Sequence, residues 1–460
     1  MTQDELKHLM LRAGFGLSQF QEKKFFGKNR SIILDDLIRN GKNLKPLKNP
    51  VKDFKKVDPK SMSKKEKSMM RKEARKKVTS INSDWVHRMA TAENDALGEK
   101  MCLFWHGHFA CEIKNPVLAY PYLNALRNHG LGNFRDLVKA ISKTGAMIRY
   151  LNNQQNRKNR PNENFARELM ELFTIGRGNY TEKDISEAAR AFTGWTSNFF
   201  TGEFTFQKRR HDFGSKQFMG RSGKFGGEDI IEMILEKKQT AQFITIKVAN
   251  YFLGVTPSHS NLNAWANSFY QSDYDIPTLL RAILGSQYFY NSEVVGKKIK
   301  SPVEFLAGTM RILGLNFKKT NTLISFQRGL GQVLFDPPNV AGWPGGRSWI
   351  DSGTLILRLN VPAVIFRKMD SAIRMKSLPE QNLFKKFTEV DDEIDLQKLI
   401  APYIKLKPEQ AYHEIASQYL AVSPSVPFST VRKFIDKRDD SNAIQDLFMR
   451  IMMMPEYQMC

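Results

Sequence analysis

Pro161–Asn162–Glu163–Asn164–Phe165–Ala166–Arg167–Glu168–Leu169–Met170–Glu171–Leu172–Phe173 is the stretch on which the reading of this chain turns. At roughly 100° per residue, Phe165, Ala166, Leu169, Met170, Leu172 and Phe173 fall on one broad apolar arc. Glu163, Arg167 and Glu171 stack at i, i+4 and i+8 on the other side, and Glu168 sits at the edge beside Leu172. Asn162 suits an N-cap, the acids near the first turn complement the helix dipole, and Gly176 and Gly178 end the run. The pattern predicts a helix over Asn162–Phe173. Its three carboxylates around one arginine fit either a structural ladder or the acidic wall of a site.

The flanking sequence adds polar clusters. Leu103–Phe104–Trp105–His106–Gly107–His108–Phe109–Ala110 lies upstream and His211–Asp212–Phe213–Gly214 downstream, so three of the eight histidines flank the acidic helix. The run Asn162–Phe173 continues through Tyr180–Thr181–Glu182 and Glu187–Ala188–Ala189–Arg190–Ala191–Phe192–Thr193–Gly194–Trp195. Leu11–Arg12–Ala13–Gly14–Phe15–Gly16 and Pro338–Asn339–Val340–Ala341–Gly342–Trp343–Pro344–Gly345–Gly346 complete the set. Together these motifs resemble a widespread bacterial family known as domain of unknown function number eighteen hundred, over nearly the whole chain. Members are often encoded beside a sulfatase-like or phosphatase-like protein, so the resemblance implies a partner of that kind. Many relatives look exported.

A chain of 460 residues, 41% hydrophobic and 11% aromatic, can bury a substantial core. No run approaches the length of a membrane-spanning helix. The start, Met1–Thr2–Gln3–Asp4–Glu5, shows no signal peptide. Cys102, Cys111 and Cys460 lack CxxC spacing, which fits a reducing compartment and argues against a thiolate zinc site. A cytoplasmic location is the expectation, with export by another route left open. The net charge of +23 is uneven: Lys42–Lys77 carries fifteen Lys/Arg against four acids, a net +11. Such a segment attracts polyanions, including anionic glycans, although a solvated excursion would look the same. Few aromatics interleave its lysines, which weakens a single-strand nucleic-acid reading.

The chain reads as mainly α, a large multi-helix domain with a small β-hairpin insert. Residues 1–41 supply the first helices of that domain, 42–80 a basic excursion that is part loop and part helix, and 81–365 the rest, with a hairpin near 198–206. Residues 366–460 form a helical C-terminal extension. Helix starts are predicted at Thr2, Ser63, Thr181 and Ser301, each with an acid three or fewer residues on. A long helix is expected over Asp84–Ala110. Pro116 and Pro121 are expected to break the chain before a helix at Tyr122–Asn128, and His211–Gly227 reads as a Gly-rich loop. Helix ends at Gln287–Tyr288 and Glu456–Tyr457 echo each other weakly, as two unrelated helices can.

Three chemistries fit the clusters. A divalent metal (zinc, manganese or iron) could take His106, His108, Glu171, His211 and Asp212. On a regular helix the first two point about 200° apart, so this needs the helix to turn at Gly107. Metal-free acid/base work could use Glu168 with Glu163, while Arg167 and Lys216 hold an anionic substrate group. A carbohydrate platform could use Trp195, Trp343, Arg347 and Trp349. Each has a plain structural counterpart: imidazoles bonded to backbone carbonyls, an intrahelical ion ladder, and loop-fixing tryptophans. P-loop, nucleophile-elbow, H-E-x-x-H and Rossmann motifs are absent, which argues against those chemistries. The expectation is therefore a metal-dependent enzyme with a His/carboxylate site acting on an anionic or carbohydrate substrate. Its alternative is a non-catalytic binding or maturation partner of a sulfatase-like protein.

Overall fold

The computed structural model describes residues 1–51, 62–198, 200–317, 319–366, 396–435 and 439–460. Within them the chain is mainly α-helical, with two small antiparallel two-strand sheets. The expected helix starts are realised as capping boxes. Thr2 and Glu5 open Gln3–Ala13, Ser63 and Glu66 open Lys64–Thr91, Thr181 and Asp184 open Glu182–Ala191, and Ser301 and Glu304 open Pro302–Leu313. In each, the cap hydroxyl and the N3 carboxylate satisfy main-chain N–H groups that the first turn leaves free.

Several expectations are corrected. The helix expected over Asp84–Ala110 is two helices, Lys64–Thr91 and Ala96–His108. At the break, Arg311 donates to the carbonyls of Ala90 (3.1 Å) and Ala92, ending the first helix from a distant part of the chain. Pro116 and Pro121 do not precede a helix but belong to one, Pro116–His129, with Pro116 in its first turn and Pro121 in its interior. Helices Gln19–Phe25 and Thr320–Gly329 were not expected. The aromatic hairpin pairs Trp195–Ser197 with Phe204–Phe206 rather than starting at Phe199, which lies outside the described residues. A second hairpin, Lys216–Phe218 with Arg221–Gly223, occupies the expected loop. Residues 52–61 of the basic segment and 367–395 of the extension also lie outside the described residues.

One contiguous apolar cluster runs from Leu6 to Tyr457 and includes Trp85, Trp105, Phe165, Met170, Phe192 and Val303. The helix at 440–452 contributes Leu447, Phe448 and Ile451 to it. Ion pairs inside this core are closed. Glu99 accepts from Arg127 at 2.7 Å and from the Trp85 indole at 3.0 Å, and Glu304 accepts from Lys100 at 2.6 Å and Lys298 at 2.5 Å. Burial alone would raise the Glu304 carboxyl, but Lys100 and Lys298 hold it well below the usual range. No helix among the described residues is long and apolar enough to cross a membrane.

Candidate functional site

The expected helix over Asn162–Phe173 is shorter and changes character. An α-helix, Asn164–Glu168, continues as a π-helical turn, Leu169–Thr174. Ile175 N–H reaches Met170 O at 3.1 Å, the i to i−5 spacing of a widened turn, and the Thr174 hydroxyl donates to Leu169 O at 2.5 Å. Such turns recur at functional positions in proteins. Asn162 is not the N-cap. Its side chain accepts from Asn164 N–H at 3.1 Å, forming a local turn one residue earlier.

The acids of this segment separate into two kinds. Glu163 and Glu171 flank Arg167 at 3.2 and 3.7 Å, Glu182 joins at 2.7 Å, and Arg177 holds Glu171 at 2.9 Å. Arg167 is therefore saturated with carboxylates. Glu168 differs: it is half-buried and makes no hydrogen bond or ion pair among the described residues. Burial, then the neighbouring Glu171, push its carboxyl up from the ordinary value. Tyr180 faces Glu171, and burial together with that carboxylate raises its hydroxyl to about 12.

The histidines do not converge. His106 is fully buried. Its Nε2 accepts from Phe335 N–H at 3.2 Å, and its ring stacks on Trp343 with centroids 5.6 Å apart. That acceptor role leaves the proton on Nδ1, which has no partner among the described residues. Burial pushes the imidazole down to about 3. His108 Nε2 donates to Phe173 O at 3.0 Å, taking a carbonyl at the end of the π turn. Burial pushes it down to about 4. His211 donates through Nδ1 to Thr193 O at 2.8 Å, between the rings of Phe206 and Phe213. Asp212 pairs with Arg190 at 2.8 Å, which holds its carboxyl below the usual range. No group of three or more His, Cys, Asp or Glu side chains among the described residues is placed to hold a metal ion. The five expected ligands are thus five separate contacts, each directed to main chain or to an arginine.

The remaining candidates are placed as follows. Lys216 is buried and donates to the carbonyls of Asp212 (2.6 Å) and Gly214 (3.1 Å), so it closes its own loop rather than facing a substrate. Trp195 is buried between Phe192 and Phe204, and Trp349 is buried too. Neither presents a ring face to a sugar. Trp343 is partly exposed but covers His106, and Arg347 is exposed. The loop carrying Trp343 closes on the Trp105–His108 helix end because Gly342, at φ +78°, lies directly against the Gly107 carbonyl, where no Cβ would fit. The two motifs form a clasp.

Two features escaped the sequence reading. An open polar groove of about 700 Å³ runs past Tyr180, Lys183, Asp184, Gln217 and Lys237. Its Asp184 already accepts from Thr181 and Met219 N–H, and Lys183 donates to Gln217. A smaller cavity of about 310 Å³ gathers Arg157, Arg160 and Arg210. The available signal was the two short basic runs, Arg157–Arg160 and Lys208–Arg210, but not their proximity.

No curated protein and no solved structure matches the chain. Residues 8–459, nearly all of it, match a family described as "Protein of unknown function (DUF1800)", and the chain belongs to that family.

Proposed function

We propose that this chain is a binding protein for an anionic polysaccharide, engaged by the basic helix at its outer edge. The carrying observation is the first half of Lys64–Thr91. Lys64, Lys65, Lys67, Arg71, Lys72, Arg75, Lys76 and Lys77 form no ion pair among the described residues, and most are exposed. The inner face, Met70 and Ala74, packs on Val51 and Val117, so the charges stand on an anchored rod rather than a loose tail. Fourteen helical residues span roughly 20 Å. That length suits several anionic groups of an extended chain, and unpaired cations release counterions when such a chain binds. No aromatic residue lies within Lys64–Lys77, which favours a saccharide over stacked bases.

The test is titration of the full chain with heparin as a model sulfated polysaccharide, at several salt concentrations. Wild type is expected to bind with a steep salt dependence. A variant with Lys65, Arg71, Lys72 and Lys76 changed to Gln should bind at least about tenfold more weakly and with a shallower slope. Equal binding by the variant, or a clear preference for duplex DNA, overturns the reading. A sulfatase-like partner, implied by the family, belongs to the same class of role and is tested by co-purification.

A second reading is favoured by one observation. Glu168 is a half-buried carboxylate with a raised pKa, no hydrogen bond or ion pair among the described residues, and a position beside the π turn. Those features suit a general acid or base that works without a metal. An activity screen in which Glu168→Gln abolishes turnover while folding is retained would carry it.

A further inference from the structure

The cavity at Arg157, Arg160 and Arg210 brings together arginines from two basic runs. Several surface arginines hold carboxylates: Arg135 takes Glu232 and Asp273, Arg167 takes Glu163 and Glu182, and Arg221 takes Glu236. Arg157, Arg160 and Arg210 line one concavity of about 310 Å³, no acid lines it, and none of the three forms an ion pair among the described residues. Three guanidinium groups held together without counter-charge repel one another, so the arrangement persists only if the backbone enforces it.

The backbone does enforce it. Arg157 and Arg160 face each other across a tight turn, with Arg160 N–H on Arg157 O at 2.8 Å. Lys158 N–H donates to Arg210 O at 2.8 Å, bringing in the second basic run. Beneath them Asn156 is buried and acts as the staple. Its amide donates to Ala189 O at 2.8 Å and to Asn153 Oδ1 at 3.1 Å, while its oxygen accepts from Asn162 N–H at 3.0 Å. Asn153, also buried, holds the carbonyls of Phe192 and Trp195. The loop is therefore fixed against Asn162 and the Glu187–Trp195 stretch. Gln154 also lines the cavity, and its Oε1 atom is buried with no hydrogen-bond partner among the described residues.

We propose that this pocket binds a tetrahedral oxyanion, a phosphate or sulfate group carried on a small molecule or a chain end. Guanidinium forks match such oxygens in pairs, and three of them can surround one group. The volume accommodates the anion and a small substituent. The pocket shares no residue with the basic helix, so it stands independently of the polysaccharide reading.

The experiment is calorimetric titration of the full chain with inorganic phosphate and, separately, inorganic sulfate in a low-salt buffer free of both. Saturable binding of either at about one per chain is expected, and the tighter anion identifies the source. Affinity should fall at least about tenfold in Arg157→Gln/Arg210→Gln and persist in the basic-helix variant. Because these guanidiniums make no hydrogen bond or ion pair among the described residues, the variant should keep the wild-type circular dichroism and melting temperature in anion-free buffer. Arg210→Lys, which keeps charge but loses the fork, should weaken binding in part. Non-saturable uptake, equal affinity in the double variant, or loss in the basic-helix variant instead would overturn the proposal.

Discussion

Lowering the pH from 7 to 5 should cost this protein about 4 kcal/mol of stability through two histidines alone. His8 and His106 are 2% and 0% exposed, and burial pushes each imidazole down to about 3. Among the described residues their side-chain hydrogen bonds run to Phe289 O and from Phe335 N–H. Both stay neutral in the folded chain throughout this interval. Once unfolded they titrate near 6.5, so at pH 5 the unfolded chain binds about two more protons than the folded one. Stability from a depressed imidazole is therefore complete above about pH 6.5 and is lost as pH falls towards 3. Each group contributes about 2 kcal/mol between pH 7 and 5, at roughly 1.4 kcal/mol per pH unit below 6.5. His108, partly exposed, acts in the same sense. Glu99, raised by burial, acts in the opposite sense as it takes up a proton. The clean assay is urea unfolding of wild type and His106→Gln at pH 7, 6 and 5. Glutamine preserves an acceptor for Phe335 N–H but does not titrate, and every other group cancels in the difference. The gap between the two proteins should shift by about 2 kcal/mol in the variant's favour between pH 7 and 5. Parallel pH profiles would refute a neutral, proton-excluding His106.

The clasp predicts an asymmetry between its glycines. Gly342→Ala should lose about 3 kcal/mol, from a strained φ and a collision with the Gly107 carbonyl, whereas Gly107→Ala, whose Cβ would meet open space, should be neutral or slightly stabilising. Equal unfolding midpoints for the two variants would sink that geometry. Glu99→Ala leaves Arg127 buried without its carboxylate and should cost about 3–5 kcal/mol in chemical unfolding; a loss below about 1 kcal/mol would mean the pair is not closed. Glu168→Gln should leave stability unchanged or raise it, because burial and Glu171 both disfavour the charged form, and a clear drop in melting temperature would reveal a missing partner. Elemental analysis after zinc, manganese and iron supplementation should find no stoichiometric ion, since His106 Nε2, His108 Nε2 and His211 Nδ1 each meet main chain and no group of three or more ligands converges among the described residues. A stoichiometric ion that disappears in His108→Ala would refute this.

What the sequence showed of the fold followed from how local each determinant is. A capping box needs two side chains three residues apart, so Thr2, Ser63, Thr181 and Ser301 announced their helices directly. The Ser18–Gln21 pair is a box of the same local kind, and it opens Gln19–Phe25. Thr320–Gly329 has no side-chain cap and offered no such mark. The end of the helix at Thr91 is different in kind. Ala92, Glu93, Asn94 and Asp95 include no glycine or proline, and the free carbonyls are taken by Arg311, more than two hundred positions away. No window of sequence contains that cause. The π turn is similar, since the Phe173 carbonyl at its end is taken by His108 from another helix.

The candidate site was legible as a set of positions but not as a chemistry, and one physical reason covers both misses. A histidine that ligates a metal and a histidine that staples a loop share their sequence appearance. They differ only in what meets each ring nitrogen, and for His106 that group is Phe335 N–H, 229 residues on. Charge behaves the same way. A sequence counts cations but does not pair them: Arg167, beside two acids on its own helix, also takes Glu182 fifteen residues on, whereas Arg157, Arg160 and Arg210 take none among the described residues. The saturated arginine sits in the motif that looked most like a site, and the unsaturated ones sit in its margin. Function is therefore better sought where the fold leaves charge unpaired among the described residues, at Arg157, Arg160, Arg210, Glu168 and the Lys64–Lys77 face. In the motifs that drew attention first, Arg167, His108, His211 and Asp212 spend polar atoms on holding the chain together.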